Sequence, residues 1–174
     1  MNILQGGLRR ALVVLPVVLA VGGVVAPSAS AGTEVPLSSL EIASEPGAWP
    51  VLGSHRWELP ADQVDIWERE NIVKVDASTA DGRNYVRLEL NAAGFAPLRV
   101  GTYQDVRFRE SNPAGPGILL VSNGFGCGTD VAEFTIDRIE RDPGGRLTAL
   151  DADFEQRCGR ATAPATRGEV HFRA

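Results

Sequence analysis

Beyond residue 32, apolar and polar residues alternate in short runs, and no run keeps the three-to-four-residue spacing of an amphipathic helix. The pattern predicts strands separated by turns. Leu40 and Ile42 alternate with Ser39, Glu41 and Ala43, and Ser44-Glu45-Pro46-Gly47 then makes a turn in which proline presets one backbone angle and glycine permits another. Trp57 and Leu59, Val64 and Ile66, and Val73 and Val75 mark strands over residues 56–59, 63–68 and 71–76. The middle one also reads as a single helical turn. After a loop tip at Asp81-Gly82, Val86, Leu88 and Leu90 share one face of a strand over residues 85–91. Strands over 98–108, 118–122, 131–139, 147–158 and 168–172 follow, separated by Pro- and Gly-rich turns at 113–117 and 142–145. The sharpest alternation places Leu150, Ala152, Phe154 and Cys158 on one side and Asp151, Asp153, Glu155 and Arg157 on the other. Eight to ten strands at spacings of about 8–12 residues predict an all-β fold, an antiparallel two-sheet β-sandwich of jelly-roll or immunoglobulin-like topology, because both apolar faces need cover.

The first 31 residues follow a different pattern. Arg9 and Arg10 precede an apolar stretch over residues 11–26, and Ala29-Ser30-Ala31 ends it with small residues at the positions a signal peptidase accepts. Pro16 and Gly22-Gly23 interrupt the stretch, which falls short of the roughly 20 apolar residues of a spanning helix. Residues 1–31 are therefore expected to be a cleaved signal peptide, and residues 32–174 a single domain that is secreted, released or held at the cell surface without membrane insertion. No cysteine follows the apolar stretch to carry a lipid. Export makes a disulfide between Cys127 and Cys158, the only cysteines, the expected state. A catalytic thiol at Cys127 is the alternative, and it lacks a histidine base in the surrounding motif.

Charge narrows the partners. Losing the two leader arginines takes 17 basic residues to 15 against 22 acidic ones, a net charge of about −7. That balance disfavours nucleic acid and anionic membranes, which reward basic patches. No glycine-rich phosphate loop precedes a helix, and His55 and His171 stand far apart with no second ligand at metal spacing, so no cofactor, metal or catalytic residue is expected. Asp151, Asp153 and Glu155 form a carboxylate row on one strand face, about 7 Å between successive members. A calcium site would draw its oxygens from a wrapping loop and a glycosidase pair from facing strands, so the row reads as a solvated face. Trp49, Trp57 and Trp67 cluster in the first third of the mature chain and are the candidate ligand-binding residues, since an aromatic face can hold a sugar ring. The expected function is non-enzymatic binding of an extracellular polysaccharide or protein partner. The alternatives are an exported hydrolase and an inhibitor of secreted proteases acting through the loop at residues 112–117.

Leu98-Arg99-Val100-Gly101-Thr102-Tyr103, Arg107-Phe108, Gly124-Phe125-Gly126-Cys127, Ala152-Asp153-Phe154-Glu155-Gln156-Arg157-Cys158 and Arg167-Gly168-Glu169-Val170 occur in that order. In this the chain resembles an uncharacterised family of secreted domains from actinobacteria, over roughly residues 40–172. The Phe-Glu-Gln-x-Cys run and the glycines before the first cysteine are the most specific parts. The resemblance implies a disulfide-bonded β-sandwich, found alone after a signal peptide or appended to other exported domains, and brings no activity with it. The chain departs from the family in residues 159–165, which are small and featureless where members carry a longer polar loop.

Overall fold

The computed structural model describes residues 37–174, which belong to one compact unit. The expected signal peptide lies outside the described residues. Eleven strands account for the architecture: β1 (Leu37–Ser44), β2 (Ser54–Glu58), β3 (Gln63–Arg69), β4 (Ile72–Ser78), β5 (Tyr85–Asn91), β6 (Gly101–Phe108), β7 (Gly117–Ser122), β8 (Phe125–Gly126), β9 (Asp130–Arg141), β10 (Leu147–Cys158) and β11 (Ala165–Arg173). A short 3₁₀ turn spans Ala93–Phe95. The fold is all-β, and residues 63–69 take the strand reading over the helical one.

The two-sheet expectation is corrected. The strands form one continuous hydrogen-bonded path, β2-β1-β11-β10-β9-β6-β7-β5-β4-β3, with β8 paired on β7. The terminal strand β3 lies against β1 and β2 at the other end of the path, which nearly closes the sheet into a barrel. All pairings are antiparallel except a short parallel contact of β6 with β7 at Arg107↔Gly117 and Phe108↔Ile118. Alternation predicts which face is buried, and a closed sheet and a sandwich bury the same face, so the pattern is silent on the difference.

One lateral row shows how the interior fills. Ile42, Gly168, Phe154, Phe134 and Tyr103 are neighbours on β1, β11, β10, β9 and β6. Tyr103 stacks on Phe134 with centroids 4.5 Å apart, and its hydroxyl accepts from the Arg99 N–H and donates to the Arg99 carbonyl. Leu40, Ile42, Trp57, Leu88, Leu90, Ile118, Ile136, Leu150 and Val170 fill the rest of the core and are wholly buried. Each such side chain contributes about 1.5–3 kcal/mol of transfer free energy. Toward the end of the barrel where the disulfide lies, the next row turns polar: Ser44 Oγ donates to Thr166 Oγ1 at 3.2 Å, and Gln156 stands beside Thr166. A bulge between Asp151 and Ala152 leaves Asp137 of β9 unopposed on the outer surface.

Candidate functional site

Cys127 and Cys158 are bonded, with Cα atoms 5.7 Å apart. The thiol reading of Cys127 is thereby excluded, and no free cysteine occurs in the described residues. The bridge staples the open end of the β9–β10 hairpin, where Cys158 is the register partner of Asp130 and the Gly159 N–H donates to the Thr129 carbonyl at 3.0 Å.

Two loops meet beside this bridge. The β1–β2 loop is anchored at Glu45: its N–H donates to the Ala165 carbonyl at 2.8 Å, and its carboxylate accepts from the Ala165 N–H and from Arg167, each at 2.9 Å. The Ala165 N–H and the Arg167 guanidinium hold the Glu45 carboxyl below its ordinary range. Gly47 takes a left-handed conformation in the turn, and Ala48 and Val51 plug into the core. That leaves Trp49 (38 % exposed) and Leu52 (74 %) pointing to solvent. The other loop is the β7–β8 hairpin. Asn123 and Gly124 both have positive φ, as a two-residue type I′ connection requires, and Val121↔Gly126 and Ser122↔Phe125 pair across it. The hairpin lifts Phe125 outward, 58 % exposed.

The Trp49 indole N–H donates to the Gly126 carbonyl at 3.0 Å, and the Trp49 and Phe125 rings meet edge to face with centroids 5.4 Å apart. Tyr85 (41 % exposed) flanks the hairpin from β5: its N–H donates to Asn123 Oδ1, its carbonyl accepts from the Asn123 N–H, and its hydroxyl lies over Gly124. Trp49 and Phe125 thus come from two segments distant in sequence and form an aromatic ledge beside the disulfide, while Tyr85 braces the hairpin turn.

The structure does not bring the three tryptophans together. Trp57 is wholly buried, its indole N–H donating to the Asn84 carbonyl at 3.3 Å and its ring 4.3 Å from that of His55. Trp67 is half-buried on β3, register partner of Lys74. Of the candidate trio, only Trp49 belongs to the ledge. Phe125 was missed, although Asn123-Gly124 between apolar runs is the sequence signal of a tight hairpin that would have presented it.

The carboxylate row divides by partner. Asp151 receives bonds from Arg173 and from His171 Nδ1, the latter at 2.9 Å. Burial pulls its pKa up, but Arg173 and His171 together outweigh that and leave it lowered. Glu155 pairs with Arg157 and Arg167. Asp153 faces other acids: burial first, then Asp137, Glu169 and Glu133, push its pKa up. The acids, with Arg167 and His171, line an open depression of about 570 Å³ on the outer face of β1, β11, β10 and β9. Among the described residues no group of three or more His, Cys, Asp or Glu side chains is disposed to hold a metal ion.

Comparison with known proteins returned no matching family model, no matching curated protein and no matching solved structure.

Proposed function

We propose that the mature protein is an exported, non-enzymatic binding protein that holds an extracellular polysaccharide on the ledge formed by Trp49 and Phe125. The observation that carries this reading is that Trp49 and Phe125 are fixed while exposed. A hydrogen bond to the Gly126 carbonyl orients the indole, the edge-to-face contact orients both rings, and the neighbouring disulfide tethers the strand end beneath them. Side chains already ordered lose little conformational entropy on binding, so apolar area presented in this way converts efficiently into affinity. Sugar rings offer an apolar face that an aromatic ring covers without demanding hydrogen-bond geometry. Export is supported by the leader pattern of residues 1–31, by the disulfide, and by the finding that no helix among the described residues is long and apolar enough to cross a membrane. The motif resemblance to secreted actinobacterial domains points the same way.

The test is depletion of the mature protein from solution by insoluble polysaccharides and cell-wall preparations, with Trp49→Ala and Phe125→Ala alongside and Trp67→Ala as a control on another face. Saturable depletion should weaken about 30-fold in each ledge variant, the effect of losing an aromatic anchor worth about 2 kcal/mol. It should be unchanged in the Trp67 variant. Absence of depletion on every preparation, or depletion indifferent to Trp49 and Phe125, overturns the reading.

A further inference from the structure

Beside the disulfide lies a buried polar pair whose hydrogen bonding is incomplete if its carboxyl is ionised. Asp130, at the start of β9, is 2 % exposed, and Gln156 of β10 is wholly buried. Gln156 Nε2 donates to Asp130 Oδ1 at 2.6 Å. The remaining oxygen of each group, Asp130 Oδ2 and Gln156 Oε1, is buried with no hydrogen-bond partner. An ionised carboxylate accepts only, and an amide oxygen accepts only, so the two orphans have no remedy in each other. One proton changes this. A carboxylic acid and a carboxamide each present a donor and an acceptor on one edge, so a proton on Oδ2 donates to Oε1 while Nε2 donates to Oδ1, and every polar atom on the facing edges is satisfied.

We propose that Asp130 and Gln156 form a neutral acid–amide pair that holds a proton inside the barrel, so that the disulfide end is tightest in acid and loosens when the proton leaves. The groups that face Asp130 across the neighbouring strands carry no charge. From β10 the facing groups are Gln156 and the bonded Cys158, while Arg157 lies on the opposite face, held by Glu155 and the Ala163 carbonyl. From β11 the neighbour is Thr166, and from β6 it is the buried Val106. Asp105 and Arg107 of β6 line the open groove beside Thr129 and Asp130, and neither they nor any other charged side chain among the described residues is ion-paired with Asp130. Glu133 lies across β9 on the outer face, in the acidic depression. Burial raises the Asp130 pKa to about 6, against the opposing pull of the Gln156 bond and of its own backbone N–H.

A folded-state pKa above the unfolded value means that the group's stabilisation is complete below the unfolded pKa, near 4. It is lost as pH rises through the folded value, near 6. Asp130 is continuous with Thr129, whose carbonyl accepts the Gly159 N–H across the hairpin end, so the loosening falls on the segment that carries the disulfide.

The experiment compares the wild type with Asp130→Asn, whose amide presents a permanent donor to Gln156 Oε1. Thermal midpoints are followed from about pH 4.5 to about pH 7.5, together with the Asp130 Cγ resonance in ¹³C-labelled wild type. The wild type should lose several degrees relative to the variant as pH rises toward 6 and above, and the Cγ resonance should titrate near pH 6. A Cγ midpoint in the ordinary carboxylate range near 4, or a gap between the two midpoints that does not change with pH, overturns the proposal. If the variant does not fold, the Cγ titration alone decides the matter.

Discussion

The Phe154 ring occupies the space in which a Cβ on Gly168 would sit. A methyl built there would stand 2.4 and 2.5 Å from two ring carbons and 2.9 Å from the Glu41 carbonyl. One of these neighbours is backbone of the adjacent strand, so the clash cannot be relieved by a rotamer change alone. Gly168→Ala should therefore cost about 2–3 kcal/mol by overpacking, read as a lowered urea midpoint with an unchanged slope. A midpoint shift of less than a quarter of that size would mean that the ring has room elsewhere. Gly168 stands in the Arg-Gly-Glu-Val run of the sequence, and the reason for it, a large ring on the neighbouring strand, is a cross-strand fact. The same limit applies to the tryptophans. Trp57 and Trp49 are eight positions apart and chemically identical, and only the loop plugged by Ala48 and Val51 makes one of them exposed.

At the scale of elements, alternation was legible wherever both its causes acted. On β10 the outward acids and the inward Leu150, Ala152 and Phe154 fall as the sequence pattern orders them. On β5 the pattern is only half true. Glu89 and Asn91 sit on the outward face yet are buried, because Lys74 and Arg109 close over Glu89 at 3.0 and 2.9 Å. Such cover comes from other elements and leaves no trace in the local alternation. The β9–β10 hairpin is the element on which the disulfide acts, since Cys127 and Cys158 are 31 positions apart and enclose it. Releasing a loop of that length removes about 3–4 kcal/mol on the chain-entropy model. The Cys127→Ser, Cys158→Ser double variant should accordingly lose roughly that much in chemical denaturation. Faster amide exchange should be concentrated in residues 123–130 and 158–165, with the Asp142–Arg146 turn unaffected. Uniformly faster exchange along both strands would show instead that the bridge acts through the unfolded chain alone.

For the whole molecule the question is what keeps an almost closed sheet closed. β3 ends the strand path and rests against β1 and β2, but the ladder that joins every other neighbour is not formed there. The sequence could not show this, because closure depends on how far the strands are staggered and on the short parallel contact of β6 with β7. A side-chain tie holds β3 by another route, to the end of β9. Glu68 of β3 shares the inward face with its partner Val73, and Arg141, at the end of β9, donates to both oxygens of Glu68 and also to the Leu98 carbonyl. The Glu68 side chain is 7 % exposed and that of Arg141 25 %, so water screens the pair far less than it screens Arg56 and Glu41, both about half exposed. Glu68→Gln leaves a partly buried guanidinium without its counter-charge and should cost about 2–4 kcal/mol. Glu41→Gln should cost less than about 1 kcal/mol. Arg141→Met removes the charge together with the need for its partner, so the double variant with Glu68→Gln should recover part of the loss, giving a coupling energy of about 1–3 kcal/mol in a double-mutant cycle. Additive losses would show that the two residues stabilise the barrel separately, and that packing of β3 on β1 and β2 closes it unaided.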